Sequence, residues 1–183
     1  MRLFRILVVA LTCISFFQLC AAQQHNWVPK SMDALRQGAS SKTEFTLDHS
    51  MLVFAAKMDP NNEDLQRVIA GVNAVSVHSY HFPATWTFDP AALSAVKDEY
   101  KAAGWQQLMN KQEKDGAGVT DVWVHLENFA ISDVAVLVAK TNEVDLIVVS
   151  GSISPIDLSH LGGHFGIPKI EGGVVLPKGE AHP

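Results

Sequence analysis

The sequence predicts an α+β domain, built from a mostly antiparallel sheet with helices packed on one face. Two observations lead to this class: helical patterns come first along the chain, and a run of segments with a two-residue period follows them. Side chains alternate between the two faces of a strand, so this period predicts strands, and the short turns between them predict antiparallel pairing. The predicted four-strand meander consists of Gln106–Gln112, Val119–Glu127, Ser132–Ala139 and Val144–Ser150.

Caps and chain breakers define the elements before the meander. Asp48 and Asp89 each precede a helical pattern and can accept hydrogen bonds from the first backbone N–H groups of that helix. Pro90 suits the first position of the second of these helices, and Gly104 ends it. The predicted elements are a short helix over 32–38, a strand over 43–47, helices over 49–58 and 63–70, a strand over 74–82, a helix over 90–103 and, after the meander, a short helix over 154–161.

Residues 1–22 have the three parts of a secretory signal peptide. A positive start at Arg2 and Arg5 precedes an apolar run over Ile6–Phe17, and small residues ending at Ala22 suit a cleavage site. We expect cleavage near Ala22 and a periplasmic or secreted mature chain. The apolar run is too short for a membrane anchor, so we expect no transmembrane anchor after processing.

Both cysteines, Cys13 and Cys20, lie within this leader, so its removal would leave neither a disulfide nor a catalytic thiol. Lipidation of Cys20 is the alternative, in which case the mature chain begins at that residue. Leu19 argues against lipidation, because Gly, Ala or Ser normally precedes a lipidated cysteine.

Charge and length set the broad class. The chain of 183 residues has 14 basic and 19 acidic side chains, and the leader removes two basic ones, so the mature charge is 12 minus 19, or −7. Nucleic acid is therefore not an expected partner, because its binding needs clustered Lys and Arg. After the leader we expect a polar lead-in over 23–42, a single domain over 43–170 and a flexible tail over 171–183.

The second strand of the meander carries a candidate binding surface. Asp121, Trp123 and His125 share one face of this strand, opposite the aliphatic side chains at 122, 124 and 126. If the aliphatic face meets the helices, Trp123 is exposed on the open side of the sheet, as aromatic residues of recognition surfaces are. In that case Trp123→Ala should weaken binding and change stability by no more than about 1 kcal/mol. The alternatives are that a terminal loop covers Trp123 or that the faces are reversed.

A metal site is the second candidate. His160 and His164 have the four-residue spacing of a helical zinc pair. However, Gly162 and Gly163 should end a helix between them, no Glu stands at the metalloprotease position, and no third ligand can be placed. The sequence also lacks a phosphate-binding loop that leads into a helix and the Gly-x-Ser-x-Gly motif of hydrolases. We therefore predict no cofactor.

Two segments carry a resemblance to a known family. Residues 44–48 with the helix pair that follows, and residues 151–163, resemble the bacterial domain-of-unknown-function family 4252, and the resemblance covers about 40–170. The resemblance implies an exported envelope protein of Gram-negative bacteria, often a lipoprotein, with no established activity. Family members are often encoded near sigma-factor regulators, which implies a role in envelope stress.

Together these observations favour a non-enzymatic binding domain whose partner is an envelope protein or a cell-surface component. The predicted contact is either the exposed sheet face or an uncovered edge strand. One alternative is a metal-assisted hydrolase that uses His160 and His164. The other is a self-assembling structural component, whose association would depend on the sheet edge.

Overall fold

A computed structural model describes residues 26–86, 89–112, 118–154, 169–171 and 174–176. Four helices and eight strands lie within these ranges. The helices are α1 (Met32–Leu35), α2 (His49–Lys57), α3 (Glu63–Gly71) and α4 (Pro90–Ala102). The strands are β1 (Ser41–Asp48), β2 (Val72–His81), β3 (Gln106–Gln112), β4 (Gly118–Glu127), β5 (Ala130–Lys140), β6 (Glu143–Ile153), β7 (Lys169–Glu171) and β8 (Val174–Leu176).

The first six strands form one antiparallel sheet in the order β1-β2-β6-β5-β4-β3, and β7 pairs with β8 separately. Strands β3 to β6 are the predicted meander, since each pairs with the next along the chain. The earlier strand β2 adds to the meander beside β6, and β1 adds to β2. The α+β class is thus confirmed. The predicted short helix over 154–161 falls almost entirely outside the described residues.

The helices pack on both faces of the sheet, which corrects the expectation of one covered face. We call the side that meets α2 and α3 the hairpin face; there Leu52 and Ile69 pack in one apolar cluster with Val136 of β5. The other side, the α4 face, packs Val96 and Leu137 in a second cluster. Val136 and Leu137 are neighbours on β5, so their side chains point to opposite faces of the sheet. Both are buried, which shows that each face is covered.

The lead-in segment helps to cover the α4 face. Met32 and Leu35 of α1 are buried in the same cluster as α4. The carboxylate of Glu99 on α4 fixes the start of α1: it accepts the backbone N–H of Lys30 and the N–H and hydroxyl of Ser31, at 2.7 to 2.9 Å. Partial burial disfavours the ionised form of Glu99 and so raises its pKa. The hydrogen bonds from Lys30 and Ser31 outweigh this effect and hold the pKa of Glu99 below its ordinary value.

Both predicted caps are present. The Asp48 carboxylate accepts the backbone N–H of Met51 at 3.0 Å, and that of Asp89 accepts the N–H of Ala91 at 2.9 Å. Asn62 caps α3 in the same way through the N–H of Leu65 at 3.0 Å. Each cap satisfies one of the backbone donors that a helix start leaves unpaired.

Glycine is needed where α3 runs into β2. Gly151 of β6 has φ +147°, and a Cβ there would overlap the carbonyl oxygen of Gly71. A side chain on Gly71 would in turn meet the carbonyl of Ser152 at 2.6 Å. The register of β2 against β6 shifts between Val72 and Ala74 at this point. This close approach joins the helix pair to the centre of the sheet.

Candidate functional site

Trp123, the centre of the predicted binding surface, is buried on the α4 face and is 0 % exposed. The expectation that it is exposed is therefore wrong. The ring of Tyr100 from α4 stacks on it, with ring centroids 5.5 Å apart and planes 14° apart. The ring of Trp27 in the lead-in packs edge-to-face with that of Tyr100, with ring centroids 5.3 Å apart. The cover is helix α4 together with the lead-in, rather than the terminal loop named as an alternative.

Asp121, two residues earlier on the same face, is a fully buried carboxylate. Its Oδ2 lies 2.8 Å from Nζ of Lys97 on α4, and its Oδ1 accepts hydrogen bonds from the side-chain amides of Gln107 and Asn110, each at 2.6 Å. A buried charge with a cation and two donors is balanced inside the protein. This network connects α4 with β3 and β4. Both carboxylate oxygens of Asp121 are engaged within the protein, so neither is available to bind a ligand.

His125 completes the predicted trio and is half-buried. Its Nδ1 lies 3.1 Å from Oγ of Ser132 and 3.8 Å from Oδ2 of Asp133, and its ring lies 5.5 Å from the ring of Trp105. A serine hydrolase needs the serine at one imidazole nitrogen and the carboxylate at the other. Here both groups approach the same nitrogen. The three residues therefore do not form a catalytic triad.

A second polar cluster lies between β1 and β2, where sequence analysis indicated no site. Oε1 of Glu44 accepts the hydroxyl of Tyr80 at 2.5 Å and lies 3.8 Å from Nδ1 of His78 and 3.6 Å from a guanidinium nitrogen of Arg36. The Tyr80 hydrogen bond is the main cause that holds the pKa of Glu44 below its ordinary value. Burial and this carboxylate raise the pKa of Tyr80, and burial lowers the pKa of His78. Glu44 is thus ionised and Tyr80 neutral at pH 7, so the cluster acts as a fixed hydrogen-bond network.

The predicted metal pair, His160 and His164, lies outside the described residues. Within the described ranges, no group of three or more His, Cys, Asp and Glu side chains could hold a metal ion. In the same part of the chain, no helix combines the length and apolar character that a membrane span needs.

The outer surface of α2 is the most unusual exposed feature of the described chain. Met51, Phe54 and Met58, which we call the α2 stripe, are 52, 69 and 76 % exposed. Their spacing of three and four residues places them on one side of the helix, opposite Leu52 and Ala56, which are buried. This stripe was not predicted from the sequence. The available signal was that α2 has apolar residues on both sides, including four in a row over 51–54.

Acidic side chains lie next to the end of the α2 stripe. Asp59 directly follows Met58, and Glu63 and Asp64 begin α3. These residues and two asparagines line a shallow recess of about 480 Å³ between the helices. Asp59 is the sequence neighbour of Met58, and we call these three acidic residues the acidic rim of the stripe.

The chain matches the family described as Domain of unknown function (DUF4252) over residues 37–161. It belongs to that family. The match to DUF4252 begins before β1 and ends beyond β6, so it includes the whole six-stranded sheet, the α2 stripe and its acidic rim. No curated protein and no solved structure matches the chain. Membership of DUF4252 identifies the domain without assigning an activity.

Proposed function

We propose that this protein is an exported, non-enzymatic domain of the cell envelope that binds another protein through the α2 stripe. The observation that carries the proposal is the exposure of Met51, Phe54 and Met58 on a helix whose other side is already in the core. A helix that is apolar all round is normally buried. Covering large apolar side chains is worth roughly 1.5–3 kcal/mol for each one that is fully buried. A partner that covers the stripe would gain this free energy.

The acidic rim sets the chemistry of the partner. Asp59, Glu63 and Asp64 line the recess that directly follows the stripe along the chain, and of these Asp64 forms an ion pair with Arg67 at 2.7 Å. Charges of opposite sign favour association and fix its orientation. Methionine adapts to partners of different shape. The partner is therefore a protein segment with apolar side chains on one side and Lys or Arg at one end.

The exported location rests on residues 1–22, whose basic start, apolar run and small-residue exit are those of a cleaved signal peptide. The link with the envelope and its stress response rests on the resemblance to the family. A binding role without catalysis is supported by the polar side chains of the α4 face, because Asp121, Glu44 and His125 are engaged with neighbouring side chains.

Export is tested by mass spectrometry of the protein recovered from the periplasmic fraction of the producing cell. The expected N-terminus is Gln23. Material that remains in the cytosol and begins at Met1 contradicts the exported location, and a lipid-modified N-terminus at Cys20 contradicts cleavage at Ala22.

The binding surface is tested with two helical peptides of 18 residues, one built from Leu and Lys and the other from Leu and Glu with the same apolar side. Binding is measured by fluorescence anisotropy at two salt concentrations. We expect the basic peptide to bind, more weakly at high salt, and the acidic peptide not to bind. The double variant Phe54→Ser/Met58→Ser should weaken binding at least tenfold, because the few dominant side chains at the centre of an interface cost about 2 kcal/mol or more when truncated and about 1.4 kcal/mol is tenfold.

Phe129→Ser is the matched control, since Phe129 is a fully exposed aromatic residue that lies in the turn between β4 and β5 and not on α2. It should bind the basic peptide as the parent does. Equal binding of both peptides, or an undiminished affinity in the α2 double variant, contradicts the proposed surface. A loss that is the same in both variants shows that the peptide recognises exposed apolar residues in general.

A further inference from the structure

The two edges of the six-stranded sheet differ in how well they are protected against pairing. At the β3 edge the register with β4 shifts between Gln107 and Met109, and such a bulge disrupts the edge for a further strand. At the other edge, β1 pairs with β2 over eight consecutive residues without a shift, and it contains neither proline nor glycine. Seven of these residues are exposed. Among the described residues, no strand occupies the outer side of β1.

We propose that β1 pairs with β1 of a second copy of this chain, antiparallel and centred on Phe45. The two six-stranded sheets would then form one continuous sheet with a two-fold axis through the pair of Phe45 residues. Strand addition at a regular, open edge gains a row of main-chain hydrogen bonds, and identical strands can pair isologously.

The charges of β1 select this register. In an antiparallel pair, side chains that lie opposite each other point to the same face of the sheet. If the hairpin faces of both subunits are to lie on the same side, the two-fold axis must therefore pass between two copies of the same residue, which we call the centre of the register. Centring on Phe45 places Lys42 opposite Asp48 of the partner subunit, and this happens twice because of the symmetry. It pairs all residues from 42 to 48.

The neighbouring registers are worse. Centring on Glu44 places two glutamates opposite each other, and centring on Thr46 places Glu44 opposite the partner's Asp48. Like charges directly opposite destabilise a strand pair. Centring on Thr43 brings Lys42 to the partner's Glu44, but Glu44 is already engaged by Tyr80, and this register pairs fewer residues of β1.

The side chains needed for this pairing are available. Phe45 is 42 % exposed and would lie against the partner's Phe45 on the hairpin face. Lys42 is exposed and forms no ion pair with the described residues. Oδ1 of Asp48 accepts both the hydroxyl of Ser50, at 2.6 Å, and the cap N–H of Met51, so Oδ2 remains for the partner's lysine. None of these residues belongs to the α2 stripe.

The first test is sedimentation velocity of the mature chain, beginning at Gln23, over a hundredfold range of concentration. We expect a reversible dimer whose dissociation constant rises at least tenfold in Phe45→Lys, because two lysines would then lie opposite each other. Leu108→Lys on the β3 edge is the matched control, since Leu108 is also an exposed apolar residue of an edge strand, and it should leave the dimer unchanged. A parent chain that stays monomeric, or a dimer that Leu108→Lys weakens as much as Phe45→Lys does, overturns the proposal.

The second test exchanges the charges. Lys42→Glu and Asp48→Lys should each weaken self-association, whereas a mixture of the two variants should form a heterodimer with both ion pairs restored. Circular dichroism checks that Asp48→Lys folds without its cap. If it does not fold, the register is tested by Phe45→Cys in the mature chain, whose single cysteine should form a disulfide across the two-fold axis on mild oxidation. Thr43→Cys, which faces Leu47 of the partner subunit, should not, and an equal yield from both overturns the register.

Discussion

Replacing Trp123 by alanine should lower the free energy of unfolding by about 3–5 kcal/mol, which is the usual cost of removing a buried Trp or Phe side chain. The indole is 0 % exposed and stacks on Tyr100 with ring centroids 5.5 Å apart. Domains of this size have total stabilities of roughly 5–15 kcal/mol, so a loss of about 3–5 kcal/mol removes between about a fifth and all of the stability.

Trp123→Phe separates the loss of ring volume from the loss of the polar group. The indole Nε1 is buried and has no hydrogen-bond partner among the described residues. Leaving a buried donor unpaired costs about 1–3 kcal/mol, and phenylalanine removes this cost while keeping a ring next to Tyr100. We therefore expect Trp123→Phe to destabilise the domain by less than half as much as Trp123→Ala.

Urea unfolding followed by circular dichroism measures both variants. Phe129→Ala is the control for an exposed aromatic residue and should stay within about 0.5 kcal/mol of the parent. A Trp123→Ala variant that loses no more than about 1 kcal/mol would refute the argument. It would mean that α4 and the lead-in do not cover this face and that the indole is available for recognition after all.

Two further predictions concern pH. Tyr80→Phe should lower the free energy of unfolding at pH 7 and make its decrease below about pH 4.5 shallower. A carboxylate with a depressed pKa stabilises the fold above its unfolded pKa, and the Tyr80 hydrogen bond is the main cause of the depressed pKa of Glu44. Urea unfolding at pH 7 and pH 3.5 measures both effects, and an unchanged dependence of the unfolding free energy on pH would contradict this role. Asp145→Asn should raise the melting temperature at pH 7 and have less effect at pH 3. Burial raises the pKa of half-buried Asp145, so the contribution of this carboxyl group to stability falls as the pH rises through its folded pKa. A gain in melting temperature of the same size at both pH values would contradict this prediction.

The sequence predicted the features that depend on local chemistry. Asp48 and Asp89 cap their helices because a carboxylate one position before a helix can reach its first N–H groups, whatever the rest of the chain does. The alternation along β4 likewise placed Asp121 and Trp123 on one face of the sheet, because the period of a strand is local.

The cover on that face could not be predicted in the same way. Alternation separates Val122 from Trp123 but does not say which side a helix will occupy, and both are buried. The cover of Trp123 depends on Tyr100, which Trp27 in turn supports from a segment that sequence analysis treated as a polar lead-in. Such contacts between distant segments follow from tertiary packing and leave no periodic signal.

A comparison between the helices of the same domain strengthens the interpretation of the α2 stripe. On α3, the exposed side carries the ion pair Asp64–Arg67 at 2.7 Å, and on α4 it carries Asp98–Lys101 at 3.5 Å. These are the solvated faces expected of helices that pack on a sheet. At the equivalent place α2 has Phe54 and Met58 instead, although it packs on the same sheet through Leu52 and Ala56. The charged outer faces of α3 and α4 are suited to solvent, so the apolar outer surface of α2 is best explained by a partner that covers it. Replacing Phe54 and Met58 by charged residues, as on the outer face of α4, should remove binding while preserving the fold.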